Sequence, residues 1–81
     1  MRAVVLVRPK AGILDPQGEA VESSLHQLGF TVGETRVGKV IDLEVAADSL
    51  SAARAEIERM CERLLANPLI ESYEIELAEE A

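Results

Sequence analysis

The sequence predicts an α+β fold in the order β-α-β-β-α-β. This is a two-layer sandwich with a mainly antiparallel, four-stranded sheet and two helices on one face, the ferredoxin-like order. Three observations carry this. Ala3–Val7 is an unbroken apolar run closed by Arg8-Pro9, as a central strand requires. Two later stretches repeat apolar residues at helical spacing behind good N-caps. Two more alternate apolar and acidic residues with a period of two.

The elements follow in order. After the first strand, Asp15 offers an N-cap carboxylate and Pro16 fits the first helical position, where its missing N–H would be unpaired anyway. Val21, Leu25 and Leu28 follow on one face, and Gly29 is placed to end the helix as its C′ residue. Thr31–Val37 reads as a second, weakly amphipathic strand, bent or at an edge because of Gly33. Gly38-Lys39 then supplies a turn into Val40–Val45, where Ile41, Leu43 and Val45 face in and Asp42 and Glu44 face out. Asp48 or Ser49 caps a second helix with the stripe Leu50, Ala53, Ile57, Met60 and Leu64. Asn67-Pro68 stops it, and Tyr73, Ile75 and Leu77 alternate with Glu74 and Glu76 in a last strand.

Length and composition bound the rest. An 81-residue chain makes one domain, residues 1–81, and buries only roughly 60–65% of its unfolded surface. Aromatic content is 2%, from Phe30 and Tyr73, so the core is aliphatic and sparse. Val4, Leu6 and Val40 fall on the sheet face away from the helices, which argues for self-association as a homodimer or dimer of dimers. The net charge of −7 disfavours nucleic acid and anionic membranes. A single cysteine, Cys61, excludes an internal disulfide and fits a reducing cytoplasm. The N-terminal apolar run is too short for a signal sequence or a membrane span.

Residues with chemistry are few. Cys61 and His26 are the only soft nucleophile and the only imidazole, and nothing recognisable orients the ring, so packing outweighs catalysis. One Cys and one His cannot supply the usual soft metal ligands. Glu71, Glu74, Glu76, Glu79 and Glu80 read as a solvated strand face and an acidic tail rather than a cation site. No phosphate-loop pattern surrounds Gly38-Lys39, and Asp15 would repel an anion at the first helix N-terminus. A basic rim of Arg8, Lys10, Arg36 and Lys39 on an acidic chain either ends strands or forms an interface.

Three strings recur together: Gly12-Ile13-Leu14-Asp15-Pro16-Gln17-Gly18, Val37-Gly38-Lys39 and Leu65–Tyr73 with Asn67-Pro68 inside it. With them the chain resembles, from about Val4 to Leu77, the PurS family of small accessory subunits of phosphoribosylformylglycinamidine synthase. Arg8-Pro9-Lys10 departs mildly from that family's commoner hydrophobic residue and lysine. The resemblance implies a PurS-like domain without a catalytic, cofactor or metal site of its own. It implies a structural subunit of an ATP-dependent carbon–nitrogen ligase, with ATP and magnesium used by the complex. It implies partners in a glutaminase subunit and a large synthetase subunit, bridged so that ammonia passes between them to make formylglycinamidine ribonucleotide. The candidate interface is then Arg8, Lys10, Gly12, Asp15, Gln17, Gly18, Arg36, Gly38, Lys39, Asn67 and Pro68. Two other classes fit the same strand and helix order: an ACT-like module binding a small molecule, which predicts a ligand for the isolated chain, and a stand-alone enzyme, which the lack of paired catalytic groups opposes.

Overall fold

The computed structural model describes residues 1–78. Their order is β1 (Arg2–Pro9), α1 (Pro16–Gln27), β2 (Lys39–Glu44), α2 (Leu50–Met60), a π-helical turn (Cys61–Leu65) and β3 (Glu71–Ala78). Glu79 and Glu80 of the expected acidic tail lie outside the described residues.

The sheet is antiparallel and three-stranded, in the order β2-β1-β3. Val5 sits between Ile41 and Ile75, and Ala3 between Leu43 and Leu77. This register puts every alternate apolar residue of the three strands on one face. α2 covers that face. Val5, Val7, Ala53, Ile57 and Cys61 are buried there, with Tyr73, Ile75 and Leu77 half-buried around them.

α2 starts where Ser49 Oγ accepts from the Ala52 N–H at 3.1 Å, so Ser49 rather than Asp48 is the cap. Its expected stripe holds for Ala53, Ile57 and Met60, and fails at its two ends, Leu50 and Leu64. Ala66 N–H reaches back five residues to the Cys61 carbonyl, and that extra residue rotates the last turn. Cys61 turns into the core, and Leu64 is left 82% exposed.

Two fold expectations are corrected. Thr31–Val37 is no strand of this sheet, which therefore has three strands and not four. The chain passes from residue 38 directly into β2, without the turn expected at Gly38-Lys39. The physical reason is that Gly38 packs against β1: a Cβ there would overlap the Val7 carbonyl. The glycine allows close approach and not reversal. The second correction concerns α1, which does not join α2 on the sheet. The elements that pack together are β1 with β2 and β3, and α2 with β3. Leu28 is 73% exposed at the end of α1. The molecule is consequently long, 50 × 29 × 14 Å.

Candidate subunit interface

α1 is built as its residues dictate. Asp15 Oδ1 accepts from the Gly18 N–H at 3.0 Å, and Pro16 opens the first turn. At the other end Gly29 takes φ 95°, with Phe30 N–H on the Leu25 carbonyl and Gly29 N–H on the His26 carbonyl. That paired closure is a Schellman ending.

Beyond Gly29 the chain returns along α1, tied down by side chains. His26 Nε2 lies 2.9 Å from the Val32 carbonyl, Glu22 Oε1 accepts from Thr35 N–H at 3.2 Å, and Asp15 Oδ2 accepts from Val37 N–H at 2.9 Å. Gly18 is buried at the contact, since a Cβ there would overlap the Thr35 carbonyl and stand 2.6 Å from Asp15 Oδ2. The N–H groups of Val37 and then Gly18 hold the Asp15 carboxyl below its usual pKa. Asp15 therefore has two jobs, one on each oxygen. Sequence reasoning misses the ties made by Glu22 and His26. Their signal is spacing, since Asp15, Gly18, Glu22 and His26 recur every three or four residues along one face.

The basic residues do converge. Arg8, Lys10, Arg36, Gly38 and Lys39 line one cleft of about 810 Å³, floored by Leu6, Val7 and Val40. Most of the cations have internal duties. The Arg36 guanidinium donates to the Pro9 and Lys10 carbonyls and lies 3.7 Å from Glu34. Lys10 Nζ donates to the Pro68 carbonyl at 2.6 Å, and Arg8 pairs with Glu74 at 3.3 Å. Asn67 and Pro68 form the corner before β3, where Asn67 Oδ1 accepts from Leu69 N–H and Lys10 N–H reaches the Ile70 carbonyl. Gly12, at φ 83°, and Asp15 line a second, acidic hollow of about 600 Å³ with Glu19, Glu22 and Glu34. Gln17 is exposed on α1 and lines neither.

The sharper chemical readings find no geometry. Cys61 is buried beside Ile57, and burial, then the charges of Glu62 and Glu58, push its thiol pKa up, away from the reactive thiolate. His26 is on the exposed arm. Among the described residues no three His, Cys, Asp or Glu side chains group as metal ligands. No helix of the described residues is long and apolar enough to cross a membrane.

Residues 2–79 match the family model described as PurS, phosphoribosylformylglycinamidine (FGAM) synthase. The chain belongs to the PurS family. It is 38% identical over 77 residues to the phosphoribosylformylglycinamidine synthase subunit PurS of Methanocaldococcus jannaschii, covering 94% of this chain and 93% of that one. It is 43% identical over 76 residues to the Archaeoglobus fulgidus PurS subunit, with 93% and 95% covered. The crystal structure of M. jannaschii PurS, one of the subunits of formylglycinamide ribonucleotide amidotransferase, superposes with a TM-score of 0.86 at 36% identity, covering 99% and 98%. A chain of the PurLQS structure from Thermotoga maritima superposes at 0.84 and 36%, covering 93% of each. These PurS relatives favour the synthase reading over an ACT-like module.

Proposed function

We propose that this chain is the small, non-catalytic subunit of a phosphoribosylformylglycinamidine synthase in purine biosynthesis. It holds a glutaminase subunit and an ATP-dependent synthetase subunit together, so that ammonia passes between them. The observation that carries the reading is the match to PurS proteins over nearly the whole chain, one of them within a PurLQS structure. The 81 residues act as a single domain in the cytoplasm, self-associated as a dimer or dimer of dimers, while ATP and magnesium belong to the synthetase. The basic cleft between Arg8 and Lys39, the Gly12–Gly18 loop and the Asn67-Pro68 corner are the surfaces offered to the partners.

Holding two active sites in register raises the odds of productive transfer. Omitting the chain from the reconstituted synthase therefore abolishes glutamine-dependent synthesis and spares synthesis driven by high free ammonia. Equal loss of both overturns the bridging role. Arg36→Glu with Lys39→Glu weakens assembly in a salt-sensitive way, read by sedimentation at two ionic strengths.

A further inference from the structure

β3 is an outer strand of the sheet, with β1 on one side only. Lys10 N–H donates to the Ile70 carbonyl at 2.8 Å, one rung beyond the Pro9–Glu71 pair. Antiparallel rungs alternate, so the even residues of β3 bond to β1 and the odd residues turn their N–H and C=O groups outward. Arg54 agrees with this parity, since its guanidinium reaches the Ile75 carbonyl from α2 at 3.4 Å. Glu71 N–H is taken by the Asn67 carbonyl. Among the described residues, the N–H groups of Tyr73, Ile75 and Leu77 are left without a partner.

Natural sheet edges are blunted by shortness, proline, bulges or a covering element. β3 has 8 residues, where strands average about 5–6. It contains no proline, and its register with β1 runs unbroken from Glu71 to Ala78. Arg54 is its guard, through one long bond from an exposed side chain, which another donor displaces at little cost. Tyr73, Ile75 and Leu77 are only half-buried against the core, so a further strand would cover the apolar flank that α2 leaves wet.

We propose that β3 takes an added strand from a partner subunit, one with Lys or Arg opposite Glu74 and Glu76 and apolar residues alongside Tyr73, Ile75 and Leu77. Charge selects this occupant. Glu74 and Glu76 are exposed on one face of the strand, and opposite charges directly across a pair stabilise where like charges repel. Arg8 already offsets part of the Glu74 charge at 3.3 Å, so Glu76 carries most of the selection. Another copy of β3 fits badly. Centring a two-fold axis on Glu74, Ile75 or Glu76, the registers that pair most of the strand, sets glutamate against glutamate each time. Main-chain hydrogen bonds supply the affinity of such an added strand, and its alternate side chains supply the choice of partner. This pairing rests on the synthase assignment and deepens it, giving one subunit of that complex an edge that leads straight from the Asn67-Pro68 corner.

The test reads amide exchange residue by residue in the 81-residue chain, alone and assembled with the glutaminase and synthetase subunits. Alone, Tyr73, Ile75 and Leu77 exchange fast, while Glu74 and Glu76, bonded to β1, exchange slowly. On assembly the three odd amides slow at least ten-fold and the even ones stay as they were. Glu74→Lys with Glu76→Lys weakens assembly at least ten-fold at low salt and less at high salt, with the far-ultraviolet spectrum unchanged. Assembly with the odd amides still fast overturns the added strand and leaves the synthase assignment standing. Assembly as tight for the double-lysine variant as for the unaltered chain overturns the basic partner strand. Odd amides that are already slow in the chain alone, and slow further with its concentration, make the occupant a second copy and overturn the proposal. A chain that assembles with neither subunit overturns the synthase assignment and the added strand together.

Discussion

The sheet with α2 and the α1 arm are held by different physics. In the first, Val5, Val7, Ile57 and Cys61 exclude water almost completely and contribute no polar atoms that demand strong partners. In the second, the ties are side chain to backbone, from Asp15, Glu22 and His26, while Leu28 and Phe30 face outward. Apolar burial is non-directional and scales with area, so it fixes stability. Hydrogen bonds net little each but demand geometry, so they fix the direction in which the arm points. One region stabilises the chain, and the other presents a surface.

The largest effect expected from this contrast is in the core. Ile57→Ala removes a fully buried side chain and costs about 2–5 kcal/mol, read as a lower midpoint in urea unfolding. A cost below about 1 kcal/mol would mean that α2 is not the lid of this sheet. Gly18→Ala should cost less, about 1–3 kcal/mol, because the new methyl meets the Thr35 backbone and Asp15, as overpacked sites do. Its signature is regional: amide exchange quickens at Thr35 and Val37 and stays slow in β1. Uniform quickening would mean that arm and core unfold as one unit.

The smallest change is at Asp15. Its folded carboxyl titrates below the ordinary value, so its contribution is fully present above about pH 4 and is lost as the pH falls through the lowered value. Asp15→Asn keeps an acceptor for Gly18 N–H and loses the one for Val37 N–H. Exchange at Val37 then becomes fast at neutral pH, and its added acid sensitivity disappears. Protection at Val37 equal to that of the unaltered chain would place the arm's anchor elsewhere.

Much of the core and its caps is legible in the sequence. A run like Ala3–Val7 fits only a central strand, Asp15-Pro16 and Gly29 bracket α1 through local hydrogen bonding, and Tyr73, Ile75 and Leu77 declare their buried face by alternation. The basic cleft is half legible. The cations Arg8, Lys10, Arg36 and Lys39 stand out on an acidic chain, but the carbonyls that occupy Arg36 and Lys10 are backbone atoms with no sequence signature. The Glu22 and His26 ties are hidden because a polar helix face usually means solvent.

Sequence by itself determined the class of each local element except the return segment, the turn expected at Gly38-Lys39 and the π-helical turn Cys61–Leu65, because caps, period and turn chemistry act within a few residues. It also determined the PurS family, through Gly12–Gly18, Val37–Lys39 and Asn67-Pro68 in that order. Tertiary structure alone decided whether Thr31–Val37 folds back on β2 or enters it past Gly38 without a turn, since the same composition fits both. The deciding contacts are long-range: Gly38 against the Val7 carbonyl, Val37 on Asp15 and Arg36 on Pro9. Pairwise contacts across 22 to 31 residues leave no periodicity behind, so only the folded chain displays them.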